Sequence, residues 1–142
     1  MFKCILVPVD VEHPSSWQRA LPVGRQLARD YGAQLHAITV VPAFGMSIVG
    51  GHFPSDFEQK AVAAATLRLQ EIISADAGDG PACRGHVAHG TIYEEIIQAA
   101  NKLGSDLIVM TSHRPELKDY LIGPNAARVM RHATQSVFVV RD

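Results

Sequence analysis

The residues best suited to chemistry are Met110-Thr111-Ser112-His113-Arg114-Pro115 and, after seven intervening residues, Gly123-Pro124-Asn125-Ala126-Ala127. A hydroxyl, an imidazole and a guanidinium here precede a Gly-Pro pair that can open a helix. Gly123 lets an anion approach the backbone. Pro124 costs little at the first helical position, where its missing N–H would have no helical partner. The N–H groups of Asn125, Ala126 and Ala127 then point outward with the positive end of the helix dipole. Arg114 adds a planar fork of donors that matches a phosphate, and Ser112 and His113 add hydrogen bonds. Such a set suits an anion. The alternative for the same residues is an ordinary loop leading into a proline-started helix.

Other chemistries find less support. Neither G-x-x-x-x-G-K-[ST] nor G-x-G-x-x-G follows the first apolar run, which argues against a P-loop ATPase and a standard dinucleotide dehydrogenase. There is no G-x-S-x-G elbow. His86 and His89 are three apart on an expected strand, so they point to opposite faces and share no ion. Cys4 and Cys83 form no CxxC and read as free thiols rather than a disulfide or metal pair. Redox sensing by Cys4 is disfavoured by its place in a buried strand. His132, expected at a helix C-terminus, suits the dipole there and reads as structural.

The elements that must position these residues alternate along the chain. Lys3 to Val9 is a short apolar run, as a strand buried on both faces should be, with Asp10 at its carboxyl end. Ser15 and Gln18 fit a capping box opening a helix with Ala20, Val23, Leu27 and Tyr31 on one face and Gly32 as its stop. Pro22 conflicts with that start and should kink the helix or delay it. Gln34 to Val41 is a second strand. Ser55 and Glu58 open a second helix, striped by Val62, Ala65, Leu69, Ile72 and Ile73 and running to about Ala75. Asp79-Gly80-Pro81 is a turn, and Cys83 to His89 a third strand. Thr91 and Glu94 cap a third helix that buries Ile92, Ile96, Ala99 and Leu103 and stops at Gly104. Asp106 to Thr111 is a fourth strand, Pro124 to about His132 a last helix, and Ser136 to Arg141 a fifth strand. This order predicts an α/β fold: a five-stranded parallel, doubly wound, Rossmann-like sheet with helices on both faces. Ligands of such folds bind beyond the carboxyl ends of the strands, at the topological switch point. Asp10 and the loops after Val41, His89 and Thr111 are the places that rule selects.

The 142 residues amount to a single domain spanning 1–142. Thirteen Lys+Arg against fourteen Asp+Glu leave a net charge of −1, without the basic footprint of a dedicated nucleic-acid binder or a polybasic membrane protein. The longest apolar run, Ala61 to Ala65, is five residues, far short of the ~20 needed to cross a bilayer. The N-terminal residues lack the pattern of a signal peptide. The expectation is a small soluble cytoplasmic protein with no membrane insertion.

Ile5-Leu6-Val7-Pro8-Val9-Asp10 at one end, Val129 through Arg141 at the other, and the segment between them resemble the universal stress protein family in register along essentially the whole chain. That family's nucleotide signature is G-x2-G-x9-G-[ST]. Here Ser112 and Pro115 occupy the first two glycine positions, the spacer is seven, and Pro124 replaces the hydroxyl residue, removing one side-chain phosphate donor. Ser-His-Arg-Pro followed by Leu-Ile-Gly-x-Asn-Ala is similar to a bacterial subgroup, some of whose members bind ATP. The resemblance implies that Pro8, Val9 and Asp10 border the adenosine, with Asp10 near ribose or Mg²⁺. It implies that Val40 contacts adenine, and that Met110, Ser112, His113, Arg114, Gly123, Pro124, Asn125 and Ala126 complete the nucleotide site. It also implies an antiparallel homodimer through the fifth strand, by Val137, Phe138, Val139, Val140 and Arg141. Asp10 has the alternative reading of a turn or capping carboxylate, and Val40 is a core strand residue in either case.

The loop Pro42–Pro54 is glycine-rich yet carries Phe44, Met46, Ile48, Val49 and Phe53, which suit an adenine lid, a dimer contact or a partner surface. The resulting expectation is a regulatory homodimer that binds ATP or another adenine nucleotide and acts on an unidentified protein. No general base beyond Asp10 presents itself, so the protein is expected not to be an enzyme. A slow ATP hydrolase and a nucleotide-independent interaction module are the alternatives.

Overall fold

The protein is described by a computed structural model that covers residues 1–43, 56–112 and 124–141. Most of the 42–54 loop, Ser55, and His113, Arg114, Pro115 and Gly123 lie outside the described residues. The strands are β1 (Cys4–Pro8), β2 (Gln34–Pro42), β3 (Cys83–Gly90), β4 (Leu107–Thr111) and β5 (Ser136–Val140). The helices are α1 (Ala20–Tyr31), α2 (Phe57–Asp76), α3 (Ile92–Leu103) and α4 (Pro124–His132). All strands are parallel, in the spatial order β3-β2-β1-β4-β5. The order reverses between β1 and β4, which places the switch point there.

Strand periodicity sorts the core into two layers. Ile5, Val7, Leu35, Ala37 and Val109 pack with α1 and α2 on one face. Leu6, Ile38, Ile108 and Met110 pack with α3 and α4 on the other. Ile5, Leu6 and Val7 are completely buried, because β1 is hydrogen-bonded on both edges and covered on both faces.

Two expectations about α1 are corrected. The Ser15–Gln18 capping box does not form: Pro14–Ser16 is a single 3-10 turn and the helix begins at Ala20. Pro22 thereby falls in the first turn, where no helical acceptor awaits its nitrogen. The buried face is also rotated. Ala20, Leu21, Gly24, Arg25 and Ala28 face inward, while Tyr31 is exposed. The reason is steric. A Cβ on Gly24 would lie 2.7 Å from Val7 Cγ2, so this helix meets β1 along its small residues and leaves Val23 and Leu27 at the margin. Thr91 occupies the N-cap of α3 with extended backbone, but its hydroxyl makes no cap hydrogen bond. Gly32 and Gly104 end their helices in left-handed conformation as expected, with φ of 64° and 70°.

Arg25 is the buried residue on α1 that no apolar pattern could place. Its Nε donates to Asp76 Oδ2 at 2.8 Å and its Nη1 donates to the Pro81 carbonyl, fastening α1 to the end of α2 and the following turn. Cys4 and Cys83 are free thiols, and burial pushes Cys83 up to about 11, which leaves it unreactive near neutrality.

The close approach of α1 to β1 generates a test. Gly24→Ala must displace Val7 or the helix, and overpacking outweighs the gain in helix propensity, so a net loss of about 1–2 kcal/mol is expected in urea unfolding. An unchanged midpoint would show that the contact yields freely.

Candidate functional site

The carboxyl ends of β1, β2 and β4 open into a cleft of about 1040 Å³. Its floor is the β1–α1 loop, which is tied into one unit by its own side chains. Asp10 N–H donates to Ser16 Oγ at 2.8 Å, and that hydroxyl donates back to the Asp10 carbonyl at 3.0 Å. Asp10 Oδ1 accepts from the Glu12 N–H at 3.0 Å, and Oδ2 lies 2.9 Å from His13 Nδ1. Thr111 Oγ1 donates to the Ser16 carbonyl at 3.2 Å, anchoring the loop to the end of β4.

Pro8, Val9, Asp10, Val40, Met110, Pro124, Asn125 and Ala126 all line this cleft, although they come from β1 and the loop after it, β2, β4 and α4. Pro124 is the first residue of α4, as its fixed φ favours. Ser112 stands one residue beyond β4 with its N–H donated to the Val140 carbonyl at 3.1 Å. His113, Arg114 and Gly123 are outside the described residues. The Asp10 carboxylate does close a turn, the plainer of its two readings, and it does so from within the cleft wall.

The opposite wall was not legible as such. Phe57, Ala61, Ala64, Ala65 and Arg68 of α2 border the cleft. Their spacing of i, i+4, i+7, i+8 and i+11 is a second helical stripe beside the apolar one of Ala65, Leu69 and Ile72. Alanines spaced along one face of a long helix were the available signal: they leave room between the helix and its neighbour.

Beyond the cleft, His86 and His89 do face opposite ways, but His86 has a partner that sequence spacing missed. His36 Nδ1 and His86 Nε2 are 2.9 Å apart across β2 and β3, while His89 Nε2 lies 3.6 Å from Glu58 on α2. Register explains it: His36 sits opposite Arg84 and Ile38 opposite His86, so the two imidazoles are diagonal neighbours on one face. Burial and then mutual charge hold His36 below its ordinary value, and burial and then Arg84 do the same for His86. Among the described residues no three His, Cys, Asp or Glu side chains gather into a metal cage.

These features define a doubly wound α/β protein with a cleft at its topological switch point. The family model of the universal stress protein family matches residues 1–141, and the chain belongs to that family. It is 34% identical over 144 residues to universal stress protein G of Shigella flexneri, covering 99% of this chain and 100% of the relative. A universal stress protein in complex with cAMP has a TM-score of 0.71 at 20% identity, covering 99% of this chain and 97% of that one. The universal stress protein from Archaeoglobus fulgidus in complex with dAMP has a TM-score of 0.67 at 18% identity, covering 98% and 97%. At those identities the two structures corroborate the fold. Among the described residues no helix is long and apolar enough to cross a membrane.

The histidine pair generates a pH test. Both folded-state pKa values lie below the unfolded value of 6.5, so the unfolded chain binds more protons as pH falls through that point. The stability held above pH 6.5 is therefore lost on acidification, down through the depressed folded values. Melting temperature is expected to fall on acidification from pH 6.5, with a shallower profile in His36→Leu/His86→Leu. Equal slopes for the two proteins would remove the pair as the cause.

Proposed function

We propose that this chain is a regulatory protein that binds an adenine nucleotide, ATP among them, in the cleft at the switch point. The observation that carries this reading is the pairing of two walls across the carboxyl edge of the sheet: the α4 N-terminus with Asn125 and Ala126, and the ordered Asp10 loop. A helix N-terminus supplies unpaired N–H donors and a positive dipole end to phosphate. Val40, at the end of β2, presents backbone and apolar surface suited to a base. The relatives with cAMP and dAMP support an adenine nucleotide over other anions.

Asp10 already accepts from Glu12 and contacts His13, which leaves it poorly placed to hold a metal unaided. Mg²⁺ therefore enters with the nucleotide phosphates, with Asp10 as a carboxylate beside them. The same engagement weakens Asp10 as a general base, which supports binding without catalysis. We place the protein in the cytoplasm, in stress response, acting on another protein.

The homodimer follows from the sheet edge. Among the described residues β5 is hydrogen-bonded to β4 alone, and Phe138 on it is 46% exposed. An unpaired apolar edge needs cover, and antiparallel pairing with a second β5 provides it. Val137, Val139 and Val140 are at least half-buried on the chain's own sheet, so Phe138 and the strand's free edge carry the contact, with Arg141 just beyond β5.

Two measurements follow. ATP, ADP and AMP, with and without Mg²⁺, are expected to raise the melting temperature and titrate calorimetrically. Arg114→Ala should weaken ATP about tenfold, the value of one charge-assisted contact. No stabilisation by any of the three at millimolar concentration would leave an interaction module that needs no nucleotide. In analytical ultracentrifugation the wild type is expected as a dimer and Phe138→Asp as a monomer; an unchanged mass would place the interface elsewhere.

A further inference from the structure

Arg68 lines the cleft from α2, on the other face of the sheet from α4. α4 packs with α3 on one face of the sheet, whereas α2 packs on the other, over β2 and β3. A ligand anchored by its phosphates at α4 can meet the α2 wall only across the carboxyl edge of the sheet, so the part that reaches α2 is its nucleoside end. The α2 wall there is Phe57 and three alanines until Arg68, which brings a donor fork to an otherwise apolar surface.

The same guanidinium has a second environment. Its Cζ lies 5.6 Å from the centre of the Trp17 ring, within cation–π range, and its Nη1 donates to Glu71 at 3.3 Å. Arg68 also lines a smaller cavity of about 300 Å³ with Trp17, Gln18, Pro22 and Glu71. It is thus the shared wall of the two spaces. The ring lies beside a guanidinium that is 47% exposed, and the described contacts use one of its five N–H donors. Trp17 directly follows the 3-10 turn of the cleft floor, so both partners of the contact adjoin the site.

We propose that Arg68 is a specificity-determining residue of the cleft, donating to acceptor atoms of the nucleoside end of the ligand with Trp17 beside it. This rests on the nucleotide reading above and deepens it. Two consequences distinguish it from a structural role. Arg68 acts on the nucleoside, so its loss must affect mono-, di- and triphosphate alike. Occupancy must also be felt at Trp17, the only tryptophan of the chain.

The test is calorimetry with AMP, ADP and ATP on the wild type, Arg68→Gln and Arg68→Lys, with Trp17 fluorescence followed in the same titrations. Arg68→Gln is expected to weaken all three nucleotides by a common factor of about ten, with Arg68→Lys intermediate because it keeps charge but loses the fork. Saturation is expected to shift wild-type emission but leave Arg68→Gln unmoved. Unchanged affinities, a loss that grows with phosphate number, or an identical emission change in Arg68→Gln would each overturn the proposal. Wild-type calorimetry without heat for any nucleotide would instead remove the nucleotide reading itself, and this inference with it.

Discussion

Every part of the site hangs from β1. Its three middle residues are inaccessible to solvent, its backbone is paired to β2 and β4, and it is enclosed by helices above and below. Burying a strand on both faces removes any freedom to slip, since a one-residue shift would exchange the two sets of side chains between layers that differ in packing. Gly24 sharpens the constraint by bringing α1 to within contact of Val7. The end of β1 is therefore a fixed point, and the chain leaving it starts the cleft floor at a set position. Hydrogen bonds from Asp10 to Ser16, and from Thr111 to Ser16, carry that rigidity outward to the site.

How much of this could be read from sequence follows from which interactions are local. β1, β2 and β4 were legible because a strand buried on both faces is a short apolar run, and helix stops at Gly32 and Gly104 were legible because left-handed caps need glycine. Asp10 was reached because switch-point geometry follows from element order, Pro124 because proline suits a helix start, and Pro8 only through the family resemblance. What escaped was set by contacts distant in sequence. The rotation of α1 depends on Val7, a strand away, and the His36–His86 pair on the register of β2 with β3. The second stripe on α2 was hidden because alanine serves a core and a cleft wall equally well. Capping boxes misled at Ser15 because Pro22 moved the helix start beyond their reach.

The two ends of the cleft use opposite physics. At α4 the donors are backbone N–H groups fixed by the helix, so they cost no side-chain entropy when an anion arrives. Replacing a hydroxyl residue by Pro124 at that end gives up one side-chain donor but keeps the helix start rigid. At α2 the surface is small and apolar, which excludes water without orienting anything. An anionic ligand held only at these two ends would be oriented at α4 and merely shielded by the alanines of α2. Orientation at the α2 end requires a directed polar group.

Arg68 is the described side chain in a position to supply it, and its cost is lowered by the contacts already made. An unsupported arginine must give up rotamer freedom to hold one geometry. Here Trp17 and Glu71 lie beside the guanidinium before any ligand arrives, and Trp17 follows the loop that descends from β1. The donor fork thus sits beside a residue placed by the strand that orders the floor. The rigidity of a strand buried on both faces reaches the α2 end of the cleft through one loop and the Trp17–Arg68 contact.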